Sequence, residues 1–322
     1  MKRRAFVAGL TTTAAITTFA ASGSAYPNRP IKILQGYAPG GNADTIARVV
    51  GGEIAQVLGQ SIVVEAQTGA GGTIAAASVA RANPDGYTLL LAMGGHAVAG
   101  AIYNKLPYKT IEDFEMISMI TYFPFLLVVQ ADSKFRTLND VLTAARFNGQ
   151  GIAYGTAGIG TGHHLAGELL GKLAGIQMLH VPYRGDAASV TALLGGEVPL
   201  IISPPTAVLA NIKAGKLRAI GVTGPQRWAG MPELPTVAEQ GVTGYDARSW
   251  AGFMAPSGTP RPIINRLNEE TKKVLLLPSI RSRLEEMGGE VRASTPEEMK
   301  SMISTQLQRW TQLVAEVNIP KQ

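Results

Sequence analysis

The sequence contains no cysteine among its 322 residues. Disulfide bonds, thiolate metal sites and a cysteine nucleophile are therefore excluded. Charged residues make up 16% of the chain and aromatic residues 6%, whereas 46% of the residues are apolar. This composition predicts a substantial buried core, and the length is sufficient for two domains of ordinary size.

The excess of positive charge is concentrated at the amino terminus. Lys2, Arg3 and Arg4 supply three of the 29 basic residues, and without them 26 basic residues face 23 acidic ones. No later block of Lys and Arg interleaved with aromatic residues is present. We therefore expect no nucleic-acid partner.

Residues 1–25 have the pattern of a signal peptide. The basic residues precede an apolar stretch from Ala5 to Ala21, and Gly23-Ser24-Ala25 supplies small residues before a cleavage site ahead of Tyr26. This order predicts export to the periplasm by the Sec or the twin-arginine route. A membrane anchor is the weaker interpretation, because the apolar stretch is short and rich in threonine.

A glycine loop in the middle of the chain connects a strand pattern to a helix pattern. The apolar run 152–156 is followed by Gly158 and Gly160, and Thr161 suits the N-cap of the next helix. Glycine lets a ligand approach the backbone closely, and the start of a helix favours negative charge. Together these features predict an anion-binding site.

The same arrangement occurs near the start of the mature chain. Residues 31–35 have the pattern of a strand, 36–42 of a glycine loop and 43–58 of a helix. Two such sites more than a hundred residues apart predict a cleft that holds a small molecule from both sides.

Alternation of strand and helix patterns sets the fold class. Apolar runs such as 87–93 are too continuous for a sheet with one solvated face. We predict an α/β fold with two domains, each a mostly parallel sheet flanked by helices, and a ligand cleft between the domains. Ligands of such sheets bind beyond the carboxyl ends of the strands, where loops 69–73 and 94–96 are also expected.

Domain boundaries follow from two predicted crossings of the chain, near 125–129 and near 222–225. Domain I then comprises 26–125 with 226–322, and domain II comprises 126–225. A pair of crossings suits a hinge. Within domain II a strand is predicted at 198–202.

The sequence lacks the motifs expected for dinucleotide binding and for a metal site. Gly158, Gly160 and Gly162 do not form a dinucleotide fingerprint, because the third glycine is one position early and no acid follows at the required distance. His163 and His164 diverge by about 100° on a helix, so they cannot both ligate one ion. No carboxylates with metal spacing lie nearby. We expect neither a cofactor nor a metal.

Four further side chains are candidates for the cleft or for catalysis. His96 follows a predicted strand, and so does Tyr183. Asp44 lies in the first turn of a helix, where an acid is ordinarily a cap or dipole partner. An exported hydrolase would use Thr161 or Ser203 with a histidine, but no spacing supplies a base and no Gly-x-Ser-x-Gly motif exists. We therefore expect no enzyme activity.

The chain resembles the Bug-type periplasmic solute receptors, the binding proteins of tripartite tricarboxylate transporters. The matching segments run in order through nearly the whole mature chain. They are Gly36 to Asp44 with Ala47-Arg48, Gly69 to Gly72, Asn83 to Leu90, Tyr154 to Thr161 with His164, His180 to Tyr183, Leu194 to Gly196, Ile212 to Ala219, and Trp250 to Pro260.

This resemblance implies a type II-like periplasmic binding protein that closes on a small organic acid and delivers it to a tripartite transporter. A monomer is expected, with transporter permease subunits as partners; a receptor for a sensor kinase is the alternative. His163 occupies a position that varies in the family, whereas His164 is the family's histidine. Where many relatives carry Phe-Asp, this chain has Ile202-Ser203, which favours a di- or tricarboxylate or an aromatic carboxylate over an amino acid.

The residues expected to bind the ligand come from both glycine loops and from the further cleft candidates. They are Tyr37, Ala38, Pro39, Gly40, Gly41, Asn42, His96, Thr156, Gly158, Ile159, Gly160, Thr161, His163, Tyr183 and Ser203.

Overall fold

The computed structural model describes residues 26–148 and 151–322, so the predicted signal peptide lies outside the described residues. The strands in these ranges are β1 (Ile31–Gln35), β2 (Ile62–Ala66), β3 (Thr88–Met93), β4 (Phe114–Pro124), β5 (Leu126–Gln130), β6 (Ile152–Thr156), β7 (Met178–Pro182), β8 (Ile201–Ser203), β9 (Leu217–Val222), β10 (Arg248–Pro256) and β11 (Glu290–Val291). The α-helices are α1 (Asn42–Leu58), α2 (Thr73–Ala80), α3 (Gly95–Ile102), α4 (Leu138–Asn148), α5 (Gly162–Ala174), α6 (Asp186–Leu194), α7 (Pro205–Lys213), α8 (Arg261–Leu275), α9 (Pro278–Glu286) and α10 (Pro296–Glu316).

These strands form two sheets. The first has the order β11-β4-β10-β3-β1-β2, and the second has the order β7-β6-β8-β5-β9. We call the part of the chain built on the first sheet the first lobe, and the part built on the second sheet the second lobe. The predicted α/β architecture of two helix-flanked sheets is confirmed.

Both sheets are mixed, with β10 and β11 reversed in the first and β5 reversed in the second. In the first sheet β1, β2 and β3 are parallel neighbours, and β10 lies antiparallel between β3 and β4. In the second sheet β6, β7 and β8 are parallel, and β5 lies antiparallel between β8 and β9. β5 and β10 are thus the strands by which the chain enters the second lobe and returns to the first.

Several local predictions differ from the structure. The strands β4, β10 and β11 were not predicted, and residues 94–96 begin helix α3 instead of forming a loop. Strand β8 occupies Ile201–Ser203 and not 198–202. This shift makes Ser203 the last residue of a strand in the middle of the sheet.

Buried apolar side chains join the two lobes. The larger cluster extends from the first sheet, with residues such as Leu91 and Phe253, into the second lobe at Leu127 and Tyr154. A smaller cluster, which includes Val190 and Ile201, lies on the other side of the second sheet. The second sheet is therefore covered on both faces, as its continuous apolar strands predicted.

The two crossings lie side by side and are linked by hydrogen bonds. The hydroxyl of Thr223 accepts a bond from the Phe125 amide at 2.7 Å, and the Thr223 amide donates to the Phe125 carbonyl at 3.0 Å. Both residues are buried. Paired segments of this kind are suited to absorb the backbone rotation of a hinge.

We expect Thr223→Val to destabilise the protein by about 1–3 kcal/mol, because it leaves the buried Phe125 amide without its side-chain acceptor. Valine preserves the shape of threonine, so the loss reports the hydrogen bond. Chemical denaturation measures the effect. An unchanged free energy of unfolding would show that the Thr223 hydroxyl does not support the crossing.

Candidate functional site

Both glycine loops lie at equivalent positions in their sheets. β1 is flanked by β2 and β3, and β6 is flanked by β7 and β8. The strand that follows β1 or β6 in the chain pairs on one side of it, and the strand after that pairs on the other side. This change of direction creates a switch point at the carboxyl end of the central strand. The loops that leave β1 and β6 begin at these two switch points.

The first loop is held largely by its own hydrogen bonds. Gln35 accepts a bond from the Tyr37 amide at 2.7 Å, and Asp44 accepts one from the Gly40 amide at 3.0 Å and one from Arg48 Nε at 2.9 Å. Burial opposes ionisation of Asp44, yet the bonds from Arg48 and the Gly40 amide hold its pKa below the usual range. Asp44 therefore shapes the loop, in agreement with its interpretation as a structural acid.

The second loop leaves more of its backbone available. Thr161 caps α5, since its hydroxyl accepts from the His164 amide at 3.4 Å and donates to the Gly158 carbonyl at 2.7 Å. Within the described residues no hydrogen-bond partner is found for the N–H groups of Ile159 and Gly160 or for that of Thr161. Three consecutive free amides before a helix are suited to bind an anion.

The second loop faces the first lobe. A methyl group placed on Gly71 would lie 3.2 Å from the Gly160 carbonyl oxygen, and one placed on Gly95 would lie 3.6 Å from the same oxygen. Tyr37 completes this contact by donating its hydroxyl to the Gly71 carbonyl at 3.1 Å. The backbones meet so closely that a side chain on Gly71 would crowd the Gly160 carbonyl.

Two helix starts converge on this contact. α3 begins at Gly95 and α5 begins at Gly162, and the backbone at Gly95 approaches that at Gly160. Each helix start carries about half a positive charge. Both helix starts therefore bring partial positive charge to the boundary between the lobes.

The structure brings together only some of the residues predicted to bind ligand. Tyr37 and Gly160 lie at the lobe contact, whereas Ala38, Pro39 and Gly40 are exposed. Gly41 is the N-cap residue of α1, with its amide bonded to the Ala38 carbonyl. The first-lobe residues that approach Gly160 include Gly71, Gly95 and Tyr103, and the expected loops 69–73 and 94–96 contain the two glycines.

The remaining candidates occupy different surroundings. His96 is buried with its Nε2 2.9 Å from the Thr110 carbonyl and its ring stacked on Tyr108. Tyr183 directs its hydroxyl to Glu197 at 3.3 Å. Ser203 is fully buried, and its hydroxyl has no hydrogen-bond partner among the described residues. Thr156 bonds the Gly158 amide at 3.1 Å and so shapes the second loop.

Asp186, which sequence reasoning missed, lies beside His163. Its Oδ1 is 3.7 Å from His163 Nε2, and the ring of His163 packs 4.3 Å from that of Phe125. Burial lowers the pKa of His163 more than the neighbouring carboxylate raises it, so the imidazole is neutral near pH 7. The only sequence signal was an acid soon after the carboxyl end of β7, and such acids commonly serve the helix dipole.

Two stacked histidines, His164 and His180, lie beside the second loop. The rings of His164 and His180 are stacked with centroids 4.0 Å apart, and His180 Nε2 lies 2.6 Å from the Thr156 hydroxyl. Burial lowers the pKa of His164 to about 4. Burial and the neighbouring histidines lower the pKa of His180 to about 3. Both rings are therefore neutral in the folded protein and support the second loop by packing.

The neutral imidazoles of His164 and His180 make the protein less stable as the pH falls. An unfolded histidine titrates near 6.5, so the unfolded chain binds more protons than the folded chain between about pH 6.5 and the lowered pKa values. The contribution of these histidines to the free energy of unfolding is therefore fully present above pH 6.5. It declines as the solution is acidified through this window. We expect His180→Gln to reduce the slope by up to about 1.4 kcal/mol per pH unit.

Denaturation of the wild type and His180→Gln at several pH values between 7 and 4.5 measures this slope. The lost bond to Thr156 lowers stability equally at every pH, so the slope separates titration from packing. Parallel curves for the two proteins would contradict a neutral, half-buried His180.

Two further properties concern the class of protein. No helix in the part of the chain that the structure describes is long and apolar enough to cross a membrane. Across the same residues no cluster of three or more His, Asp or Glu side chains has the arrangement of a metal site.

Two lobes joined by two crossings, with backbone loops facing each other at the boundary, define a periplasmic binding protein fold. Residues 46–319 match the family model described as "Tripartite tricarboxylate transporter family receptor". The chain belongs to this family, as its sequence motifs predicted.

Relatives with known sequences or structures agree with this membership. The "UPF0065 protein in tcbD-tcbE intergenic region" of Pseudomonas sp. (strain P51) is 37% identical over 296 residues, which cover 92% of this chain and 88% of the relative. The structure of R. palustris Rpa4515 with adipate is 31% identical, has a TM-score of 0.86, and is matched over 91% of this chain and 98% of its own. MatC from Rhodopseudomonas palustris with bound malate is 30% identical, with a TM-score of 0.82 and coverage of 90% and 100%.

Proposed function

We propose that this protein is a periplasmic solute receptor that binds a small organic acid between its lobes and delivers it to the permease of a tripartite transporter. The ligand classes are di- and tricarboxylates and aromatic carboxylates. The observation that carries this proposal is the meeting of Gly160 with Gly71 and Gly95 at the starts of two helices.

A carboxylate matches the groups that this boundary offers. The free amides from Ile159 to Thr161 are donors, and the starts of α3 and α5 favour negative charge. Each N–H bond to a charged group contributes about 1.5–3 kcal/mol. Four or five such bonds, three of them from these amides and the others from the first lobe, would correspond to micromolar affinity, or about −8 kcal/mol, once the cost of immobilising the ligand is subtracted.

Related structures support the ligand class. Two solved relatives were obtained with adipate and with malate, which are both dicarboxylates. Family membership itself supports a role as the receptor of a transporter. The signal-peptide pattern of residues 1–25 supports a periplasmic location.

Closure of the lobes is the proposed mechanism of capture. Residues 26–125 with 226–322 and residues 126–225 move as two domains about the paired crossings at Phe125 and Thr223. A ligand that bonds to both lobes stabilises the closed state, because only that state satisfies both sets of contacts. The permease then recognises the closed receptor.

Hydrolysis receives no support from the hydroxyl groups. Thr161 is engaged as a helix cap, and Ser203 has no histidine within hydrogen-bonding distance. The hydroxyl of Thr156 does meet His180, but Thr156 is fully buried and the imidazole has a pKa of about 3. Such a weak base is poorly matched to proton abstraction at neutral pH.

A thermal-shift screen of the mature protein against organic acids tests the proposal. We expect at least one di-, tri- or aromatic carboxylate to raise the Tm in a concentration-dependent manner and to be recovered unchanged. The amide or methyl ester of that acid is the matched control, because it retains the shape but not the charge. Turnover of the acid, or equal stabilisation by the uncharged control, would contradict capture of a carboxylate.

A further inference from the structure

Buried polar atoms without hydrogen-bond partners gather around the carboxyl end of β6. Within the described residues they include His163 Nδ1, Asp186 Oδ1 and the hydroxyls of Ser189 and Ser203. Ser189 and Ser203 are at most 1% exposed, and His163 is 9% exposed. Buried polar groups in proteins are nearly always bonded, so a group of exceptions indicates a missing partner.

These atoms lie in one corner of the second lobe. Asp186 Oδ1 is 3.7 Å from His163 Nε2, which is too long for a hydrogen bond. Ser189 is one helical turn beyond Asp186, and its hydroxyl would lie 3.3 Å from a methyl group on Gly155 in β6. Ser203 ends β8, the neighbour of β6.

The same corner reaches the boundary between the lobes. Tyr37, from the first lobe, is half-buried at the Gly71 contact, and its pKa is raised first by burial and then by the charge of Asp186. His163, beside Asp186, also packs its ring 4.3 Å from that of Phe125, which lies at the crossing between the lobes.

Asp186 does not cap its own helix. The N-cap residue of α6 is Gly185, and no side chain caps the start of this helix. Among the described residues the only basic side chain within 4 Å of the carboxylate is His163. Because burial keeps that imidazole neutral, the carboxylate has no cationic partner at neutral pH.

A ligand that extends into this corner meets a negative acceptor, Asp186, and a neutral imidazole, His163. A second carboxylate placed there would be repelled by Asp186. A hydroxyl or ammonium group would instead donate to Asp186, and hydrogen bonds to a charged acceptor are the stronger kind. An unsubstituted carbon chain would leave the polar atoms unpaired.

We propose that Asp186 and His163 form a specificity pair that selects carboxylic acids bearing a hydroxyl or ammonium group over unsubstituted acids of equal length. This inference rests on the proposed binding of an organic acid between the lobes. It also adds amino acids to the proposed ligands. Many relatives carry an aspartate at the position of Ser203, and in this chain Asp186 would supply the acidic partner for an ammonium group instead.

Matched ligand series test the pair. Succinate, malate and aspartate share a four-carbon skeleton, and glutarate, 2-hydroxyglutarate and glutamate share a five-carbon one. Benzoate, 2-hydroxybenzoate and 2-aminobenzoate form the aromatic series. Calorimetric titration of each acid compares the wild type with Asp186→Asn. Asp132→Asn is the control, because Asp132 is an exposed acid of the same lobe that follows β5.

In the series that binds, we expect the wild type and Asp132→Asn to prefer a substituted acid by about tenfold or more, and Asp186→Asn to reduce this preference to less than about threefold. Whether the amino acid or the hydroxy acid of the series binds more tightly identifies the group that donates to Asp186. If the unsubstituted acid binds equally well, or if the preference survives in Asp186→Asn, the specificity pair is wrong while the receptor function stands. If no acid binds, the proposed function is itself contradicted.

Discussion

Gly160→Val is expected to weaken binding of the best acid by at least about 100-fold, which corresponds to about 2.7 kcal/mol. Gly160 has a φ of +77°, and a methyl group there would lie 3.3 Å from the ring of Tyr103 in the first lobe. A valine side chain would occupy the place where the lobes meet and where the proposed anion binds. Calorimetric titration with the best acid of the screen measures the loss.

A second glycine separates this effect from backbone strain. Gly175, the C-cap residue of α5, has a similar φ of +64°, and a methyl group there meets no atom within 4 Å. Both valine variants should lose about 1–2 kcal/mol of unfolding free energy from the left-handed backbone. Only Gly160→Val should lose binding. Equal affinities in the two variants would remove the second loop from the ligand site.

Gly36→Ala is expected to lower the unfolding free energy by about 3 kcal/mol and to weaken acid binding as well. The added methyl group would lie 2.3 Å from the Cα of Gly72, which is a backbone atom that cannot turn aside. The segment that carries Gly71 must then move away from the end of β1. Because Gly71 faces Gly160, the change reaches the boundary between the lobes.

Gly52→Ala is the matched control for this substitution. Gly52 lies within α1, and a methyl group there meets no atom within 4 Å. Alanine should stabilise this helix by up to about 1 kcal/mol. The two variants therefore make the same chemical change with opposite expected signs in chemical denaturation. A neutral or stabilising Gly36→Ala would contradict close packing of the loops that follow β1 and β2.

The sequence correctly predicted those features of the fold that depend only on residues close together in the chain. Thr161 was expected to cap a helix after a glycine loop, and it accepts the predicted kind of bond from the His164 amide. The apolar continuity of β3 predicted burial on both faces of its sheet, and five of its six residues are buried. The two switch points also follow from local order, because each requires only three successive strands.

Long-range pairing accounts for what the sequence did not reveal. β10 inserts between β3 and β4 after returning from the second lobe, so Phe253 pairs with Leu91 across more than 150 residues. No local periodicity encodes that neighbour. The strand β4 was missed because its apolar residues run into those of β5, with Pro124 as the only interruption.

The same distinction applies to the site. Glycine loops are visible in sequence, but which loops face each other depends on how the lobes pack. Gly71 and Gly95 thus oppose Gly160, while the more exposed Pro39 and Gly40 do not. Asp186 escaped notice because its significance lies in its distance to His163, a residue 23 positions earlier.

The central claim is that an organic acid closes the two lobes upon each other. Because the chain has no cysteine, the variant Val57→Cys, Leu173→Cys carries one spin label on each lobe, at positions that are 47% and 39% exposed. Electron–electron distance measurements with and without the best acid report the relative positions of α1 and α5. We expect the acid to convert a broad distribution of label distances into a narrow one at a shorter distance. Identical distributions, with binding of the acid to the labelled protein verified by calorimetry, would contradict capture by closure.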